Sequence, residues 1–286
     1  MKKHNLPHGH INYCQTCASE ELELIIDLGH HAPCDSLLSK KQLSQMEKVY
    51  PLRLFRCEVC GLVQIDYVVP PEELFYPDYP YRSGITETLS RNLQSMAITL
   101  VKEYDLKTGA LAIDIGSNDG TLLQGFKSQG MEVLGVEPTN IAELAIQNGI
   151  PTIQEFFGEV LAKKIKREYG QASAITAANM FAHVADLGDL IQGCSELLGD
   201  GGLFVTESHY LLDMVQTVQY DAIYHEHLKY YSLESLMVLM GEYDFTIVDA
   251  ERIPNYGGSI RVIAKKGKGY SPSTRLQGLL QEEKHA

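Results

Sequence analysis

The segment from Ala110 to Gly120 constrains the fold of this chain more than any other part of it. It begins as an apolar strand that carries Asp114 near its end, and it then breaks into a turn bounded by two glycines. A helix-like run follows, and a second apolar strand ends in the acid Glu137. A strand, a glycine turn, a helix and an acid at the end of the next strand together indicate a βαβ unit with a ligand crevice at the turn.

Two residues of this turn indicate which ligand it suits. A dinucleotide site needs Gly-x-Gly-x-x-Gly, because the pyrophosphate must approach the helix N-terminus closely. Here Asn118 stands in place of the second glycine, and Asp119 puts a negative charge at the mouth of the helix. An acid repels a pyrophosphate but suits a cationic or zwitterionic ligand such as S-adenosylmethionine (SAM). The pattern is similar to the first two motifs of Rossmann-like methyltransferases, and the alternative is an ordinary βα turn without a ligand.

The pattern of apolar residues predicts how the rest of the chain folds. A helix is predicted at 86–104. Strands are predicted at 111–115, 132–137, 151–154, 173–178 and 203–207, and helices at 120–129, 139–148, 158–169 and 186–198. This alternation predicts an α/β fold, in which a parallel sheet carries helices on both faces. Together with the turn at 114–120, it resembles the Rossmann-like sheet of class I methyltransferases. Two later strands, at 245–250 and 259–265, are expected to close the sheet as its antiparallel edge.

Four of the six cysteines form two pairs of the Cys-x-x-Cys type. The pairs are Cys14 with Cys17 and Cys57 with Cys60, separated by residues 18–56. Each pair can present two thiolates from one tight turn, and two such turns complete a tetrahedral zinc site. Four thiolates fill the coordination sphere, so the metal is expected to be structural. Two disulfides or unrelated buried thiols are the alternative, which a reducing compartment disfavours.

Composition and segment boundaries narrow the class of protein further. The formal net charge of −13 argues against binding that depends on phosphate neutralisation, so no nucleic-acid partner is expected. No apolar run reaches the length of a membrane span, and the N-terminus lacks a signal-peptide core, so we expect a cytoplasmic protein without a membrane partner. Four segments are predicted: a zinc-binding module at 1–75, a Tyr/Pro-rich connector with a helix at 76–105, the SAM-binding domain at 106–268, and a polar, weakly periodic tail at 269–286.

Polar side chains follow the fourth and fifth predicted strands. Asn179 and His183 come after the fourth strand, where ligands sit in open α/β sheets. After the fifth strand the chain reads Tyr224-His-Glu-His227, which places groups of different pKa within one turn. This run is a candidate for acid–base chemistry; the alternatives are metal ligands, caps of a helix beginning near Ser232, or a solvated surface run. His183 alone is as consistent with packing as with function.

These motifs together resemble the C-methyltransferases of deoxysugar biosynthesis, which act on nucleotide-linked keto-sugars. The resemblance covers residues 14 to about 265. It rests on the four cysteines, the connector at 76–81, the turn at 114–120 with Glu137-Pro138, the Asn179–His183 segment, the Tyr224–His227 run and the Gly-Gly-Ser-x-Arg strand ending at Arg261.

The resemblance implies the cofactors and the role of each site residue. The cofactors are SAM and a structural Zn²⁺ bound by the four cysteines. The residues implied to bind SAM are Asp114, Gly116, Ser117, Asn118, Gly120, Glu137, Pro138, Asn179 and His183. His227 is implied to be the base that removes a proton next to the ketone, assisted by Glu226. Tyr224 and Tyr79 are implied to hydrogen-bond the sugar or its enolate.

One departure from the family concerns the C-terminal end. The family continues into a C-terminal Rossmann-like domain, whereas this sequence stops at Ala286. We therefore expect that domain to be absent, with residues 269–286 as its truncated start. The expected partners are a nucleotide-sugar substrate and a second polypeptide that supplies the domain.

Three other functions compete with C-methylation. The first is methylation of oxygen or nitrogen of a small molecule. The second is an inactive or split SAM-binding subunit that needs a second polypeptide. A zinc-ribbon nucleic-acid binder is disfavoured because the chain is acidic and carries no basic stripe with interleaved aromatic residues.

Overall fold

The computed structural model describes residues 8–34, 37–74 and 82–286, apart from the side chains of Pro71 and Glu72. Its N-terminal part is a small β module. In chain order this part comprises β1 (Gly9–His10), β2 (Leu22–His31), β3 (Tyr50–Cys57), β4 (Val63–Ile65), β5 (Tyr67–Val68) and the one-turn helix α1 (Pro71–Leu74). Strand β3 pairs antiparallel with β2 and β4. Its Leu52 and Leu54 point into the module core, because alternate residues of a strand face the same side.

The second part begins with the long helix α2 (Glu87–Glu103) and continues as alternating strands and helices. These are β6 (Leu111–Ile115), α3 (Thr121–Ser128), β7 (Glu132–Val136), α4 (Ala142–Gln147), β8 (Thr152–Ile153), α5 (Glu159–Tyr169), β9 (Ala172–Ala178), α6 (Leu187–Leu197), β10 (Leu198–His209), α7 (Leu211–Thr217), β11 (Lys229–Tyr230), α8 (Leu233–Gly241), β12 (Phe245–Ile253), β13 (Ser259–Lys266) and α9 (Thr274–His285). The predicted doubly wound α/β architecture is confirmed.

The large sheet has the strand order β12-β13-β10-β9-β6-β7-β8. Strands β8, β7, β6, β9 and β10 are parallel, and β13 and β12 close the edge antiparallel, as the sequence predicts. Helices α2 and α3 pack with one set of strand residues and α5, α6 and α8 with another. Both faces of the sheet are therefore covered, which explains why its central strands are almost wholly apolar.

The C-terminal segment differs from the prediction of a polar tail. Residues 274–285 form helix α9, whose N-terminus is capped by the Ser273 side chain. Leu276 is fully buried, and Leu279 and Leu280 pack against the main core. The three leucines have the i, i+3, i+4 spacing of a helix. The segment is nevertheless polar overall, so its composition alone does not indicate a packed helix. Arg275 on this helix pairs with Asp249 of β12, so the segment belongs to the folded domain.

The two parts of the molecule share a sheet. Strand β11 lies between α7 and α8 in sequence, yet it pairs antiparallel with β4 of the N-terminal module, Lys229 facing Gln64 and Tyr230 facing Val63. The small sheet therefore has the order β11-β4-β3-β2. The segment immediately before β11 is consequently anchored on the N-terminal module. None of the helices in the described part of the chain has the length and apolar character that crossing a bilayer requires.

Candidate active site and metal centre

The four paired cysteines converge in the N-terminal module. Their Sγ atoms all lie within 4.8 Å of one another, with 3.4 Å between Cys14 and Cys60 and 3.6 Å between Cys17 and Cys57. A tetrahedral zinc ion with Zn–S bonds of about 2.3 Å requires sulfur–sulfur distances of about 3.8 Å, so the four thiols fit this metal. Gly61 follows the second pair with φ +72, the left-handed conformation that such a turn requires.

The turn after β6 is a compact backbone loop. Gly116, Asn118 and Gly120 all have positive φ, at +69, +50 and +80. The amides of Gly116 and Ser117 both donate to the carbonyl of Val136, at 2.8 and 3.1 Å. A Cβ at Gly116 would lie 2.9 Å from Met180 Cγ, so glycine is needed here both for its conformation and for the close approach. The loop is thereby held against the end of β7, where Glu137 follows.

Glu137 stands at the centre of this half of the site. Its carboxylate accepts hydrogen bonds from the Asn118 amide at 3.0 Å, the Thr139 amide at 2.9 Å and the Thr139 hydroxyl at 2.7 Å. Three donors hold the side chain in one orientation, and an ionised carboxylate offers about four acceptor positions. Capacity remains for a hydroxyl group of a ligand in the cavity that Glu137 lines. This geometry fits the ribose of an adenosine.

A cavity of about 360 Å³ runs from this loop across the carboxyl ends of the strands, a volume within the usual range for small-molecule sites. Most of the predicted site residues line it: Gly116, Asn118, Glu137, Pro138, Asn179, His183, Tyr224, Glu226 and His227. The structure thus brings the predicted cofactor residues and the predicted acid–base residues to one cavity. Tyr79 falls within residues 75–81, which lie outside the described residues.

Three predicted cofactor residues lie behind the loop instead of lining the cavity. Asp114 is buried and accepts a 2.5 Å hydrogen bond from the Thr176 hydroxyl, and burial raises its pKa to about 7. Ser117 packs beneath the loop, where a Cβ on Gly135 would lie 2.5 Å from its hydroxyl oxygen. Gly120 is the left-handed N-cap of α3. These three residues build the loop and are not among those that line the cavity, and their contact with SAM stays a prediction.

Asp119 also differs from the expectation that it faces a cationic ligand. Its carboxylate accepts from the Gly84 amide at 2.8 Å and from the Thr121 amide and hydroxyl at 3.2 and 2.6 Å. The neighbouring Asn118 side chain accepts from the Ser83 amide at 2.8 Å. The two side chains therefore fasten the end of the connector to the cofactor loop, which closes this side of the cavity.

The other half of the cavity is dominated by imidazole rings. The ring nitrogens of His227 have two partners: Nε2 lies 2.7 Å from the Tyr224 hydroxyl, and Nδ1 lies 3.1 Å from the Ala222 carbonyl. A carbonyl can only accept, so Nδ1 carries the proton and Nε2 is the basic nitrogen. Burial lowers the pKa of His227 well below 6.5, and His183 and His209 add to this effect. His227 is therefore neutral at neutral pH and able to accept a proton.

One expectation and one alternative for the Tyr224–His227 run need correction. Glu226 does not orient His227, because both ring nitrogens of His227 are occupied by Tyr224 and Ala222. Glu226 lines the cavity itself. His225 faces away from the cavity, and its Nε2 lies 3.2 Å from the Pro51 carbonyl of β3. Helix α8 is capped by Ser232 through a capping box, so the histidines are not its caps.

Several cavity residues were missed by the sequence analysis. His209 ends β10, and its ring lies 4.7 Å from that of His227. Like Asn179 at the end of β9, His209 stands at the carboxyl end of a strand, and this position is the sequence signal that marks it. Tyr256, Met180, Phe156 and Phe157 also line the cavity. No local pattern marks them, because they reach the cavity from loops whose course depends on tertiary packing.

Comparison with known proteins agrees with both parts of this site. Residues 14–75 match a family described as "Putative zinc binding domain", and residues 81–250 match a family described as "Methyltransferase domain". The second match covers more than half of the chain.

Among curated proteins, the C-methyltransferase NovU of Streptomyces niveus is 30% identical over 255 residues, which are 89% of this chain and 60% of that protein. The chain thus spans less than two thirds of this relative's length. A ubiquinone biosynthesis O-methyltransferase of Escherichia coli O7:K1 is 28% identical over 99 residues, 33% of this chain and 40% of that protein. The crystal structure of magnesium protoporphyrin IX methyltransferase from Synechocystis PCC 6803 with bound SAH has a TM-score of 0.50 at 13% identity, covering 65% of this chain and 90% of that one; it shares the fold.

Proposed function

This chain belongs to the family of SAM-dependent methyltransferases, and we propose that it transfers a methyl group to a carbon atom next to the ketone of a nucleotide-linked keto-sugar. The observation that carries the proposal is the meeting, in one cavity, of the cofactor loop with Glu137 and the Tyr224–His227 pair. The C-methyltransferase relative supports methylation of carbon. The proposal that the substrate is a nucleotide-linked sugar rests on the resemblance of the combined motifs to deoxysugar C-methyltransferases.

The chemistry requires a base, and His227 is placed to be one. When bound, SAM supplies an electrophilic methyl group on its sulfonium. His227 Nε2 takes the proton from the carbon beside the ketone, and the electrons of that C–H bond move through the new C=C bond onto the ketone oxygen. SAM, held by the loop at 116–120 and Glu137, would supply the methyl group to the enolate carbon, the electrons of its C–S bond going to sulfur. His227 then returns its proton to solvent.

Tyr224 and the fixed ring orientation support this role. The Ala222 carbonyl holds the Nδ1 proton and thereby directs the Nε2 lone pair toward Tyr224 and the cavity. The Tyr224 hydroxyl is within hydrogen-bond distance of Nε2, so it can guide the ring before the substrate binds and contact a sugar oxygen afterwards. A positioned base of this kind contributes about 10²- to 10⁴-fold to a rate. Tyr79, the other predicted sugar contact, stays a prediction.

The test measures two events separately. Without SAM, the purified protein in deuterium oxide should exchange the hydrogen beside the ketone of a nucleotide-linked 4-keto-sugar; with SAM, the product mass should increase by one methyl group. We expect His227→Asn and His227→Ala to lower both rates about 100-fold or more, with affinity for S-adenosylhomocysteine (SAH) unchanged.

The outcomes separate the competing functions. Methyl transfer without carbon-bound exchange would indicate an oxygen or nitrogen acceptor. Near-normal exchange in both His227 variants would remove His227 as the base. Uptake of SAH with no transfer to any acceptor would favour a SAM-binding subunit that needs a second polypeptide for turnover. A cytoplasmic location, where thiols stay reduced, is part of this proposal.

A further inference from the structure

His209 is a cavity histidine that the proposed mechanism leaves without a task. It is the last residue of β10 and lines the cavity. Within the described residues, neither of its ring nitrogens has a hydrogen-bond partner. His227, by contrast, uses both nitrogens on protein groups. A half-buried imidazole with both nitrogens available at the wall of a cavity can bind a polar group of a ligand, and leaving it unpaired beside a bound ligand costs free energy.

The backbone holds His209 firmly next to the reacting region. His209 pairs with Ser259 of β13, and the preceding residue pairs with Ile260. Its ring lies 4.7 Å from the ring of His227 and 6.0 Å from that of Tyr256. Tyr256 has φ +53, which is rare for an aromatic residue, and it also lines the cavity. Strained conformations of this kind cluster at ligand sites, so the Tyr256 ring next to His209 marks this wall as a binding surface.

We propose that His209 contacts the substrate directly by donating a ring N–H hydrogen bond to the ketone oxygen, where the charge of the enolate develops. This inference rests on the proposed function. The ketone oxygen is only two bonds from the carbon that loses its proton. A base about 3 Å from that carbon and a donor about 3 Å from that oxygen must therefore come from neighbouring side chains. Two rings 4.7 Å apart at the same end of the cavity satisfy this requirement.

The protonation state of His209 is suited to this task. Burial lowers its pKa below the ordinary value, so the ring is neutral at neutral pH and keeps one N–H. A neutral donor leaves the neighbouring His227 free to become positively charged, whereas a second imidazolium 4.7 Å away would oppose that step. His183 also lies near His227, with 4.9 Å between the two rings; His209 is distinguished from it by its two available nitrogens.

The experiment compares His209→Phe with His209→Gln. Phenylalanine keeps a planar ring without a donor, and glutamine keeps a donor without the ring. We expect His209→Phe to lower kcat and the SAM-independent exchange rate about 100-fold, the usual effect of losing one oxyanion donor, with SAH affinity and the unfolding midpoint close to those of the unaltered protein. His209→Gln should recover at least about tenfold of this loss.

Each result has a defined meaning. Equal kcat and exchange rates in His209→Phe and the unaltered protein would overturn the role of His209. So would equal losses in the two variants, because a packing role predicts no rescue by an amide. If the unaltered protein itself shows no exchange and no methyl transfer on keto-sugars, the proposed function fails and takes this inference with it.

Discussion

The two halves of the cavity are built in different ways. The cofactor half is made by one βαβ unit, in which residues 116–120 and Glu137 are joined through backbone amides. The substrate half is made by side chains from the ends of β9 and β10 and from the segment before β11. That segment in turn is anchored on the N-terminal module by β11 and by His225. The first half is local and the second depends on how distant parts of the chain assemble.

This difference gives the metal module a function that a four-cysteine site alone does not reveal. A zinc ion bound by Cys14, Cys17, Cys57 and Cys60 would have no open coordination position, so it would not act on a substrate directly. It stabilises the strands β3 and β4 that hold the acid–base segment. We therefore expect zinc to support the half of the cavity that contains His227 more than the half that contains Glu137, and this asymmetry can be tested.

The largest effect is expected from loss of the metal. Cys57→Ser should lower zinc content and reduce methyl transfer more than about 100-fold, because structural zinc contributes on the order of 10 kcal/mol to the folding of small modules and β11 loses its support. Affinity for SAH, measured by calorimetry, should fall less than about tenfold. Cys194→Ala, which removes a buried thiol of α6 outside the cluster, should keep its zinc. Parallel loss of SAH binding and turnover in Cys57→Ser would contradict the asymmetry.

A substitution in the cofactor half should weaken SAH binding and leave the acid–base residues unaffected, and its effect should be smaller than that of losing the metal. Glu137→Gln removes the charge that accepts from Asn118 and Thr139. Hydrogen bonds to a charged group contribute about 1.5–3 kcal/mol, so SAH affinity should fall about 10- to 100-fold.

Exchange of the substrate hydrogen without cofactor should remain near normal in Glu137→Gln, because the His227 region is untouched. Glu143→Gln, on the exposed side of α4, is the matched control and should bind SAH normally. Loss of exchange together with SAH binding would show that the two halves are coupled.

The same difference explains how much the sequence could predict. The loop, Glu137 and the alternating strands follow from local patterns, and the structure confirms the sheet that they predict. Asp114, Ser117 and Gly120 carry the motif but face the protein interior, because a motif identifies which residues form a turn and does not say which atoms face the cavity. Which atoms of the loop face the cavity is determined by the loop conformation, which the motif alone does not specify.

The substrate half was predicted less completely for a physical reason. The sequence identifies His227 and Tyr224 because they lie close together in the chain, but proximity in the chain also points to Glu226 as the partner of His227. The ring actually turns toward Tyr224 and the Ala222 carbonyl. His209 and Tyr256 lie 18 and 29 residues from His227 in the chain. The pairing of β10 with β13 brings His209 and Tyr256 together, and a bridge between Tyr210 and Tyr231 brings the end of β10 beside the segment that carries His227. Pairing across a sheet cannot be read from spacing along the chain.

The smallest effects are expected from two buried groups, one in each half, whose contributions to stability depend on pH with opposite signs. Burial lowers the pKa of His183 from 6.5 to about 4, so the unfolded chain binds a proton between these values and the folded chain does not. The contribution of neutral, buried His183 to the free energy of unfolding is therefore complete above pH 6.5 and is lost as the pH falls toward 4. Burial raises the pKa of Asp114 from 3.8 to about 7, so its contribution is complete below pH 3.8 and is lost as the pH rises toward 7.

Between pH 4 and 6.5 the two slopes oppose each other, so single variants are needed to see them. His183→Gln should remove the loss of stability that His183 causes at low pH. Asp114→Asn should remove the loss of stability that Asp114 causes at high pH. Each should change the free energy of unfolding across this window by about 1–3 kcal/mol, measured from urea midpoints in ligand-free protein. Relative to the unaltered protein, His183→Gln gains stability as the pH is lowered and Asp114→Asn gains stability as it is raised. If the stability change relative to the unaltered protein had the same pH slope in both variants, His183 and Asp114 would not both be kept neutral by burial. A buried base and a buried acid kept neutral give slopes of opposite sign.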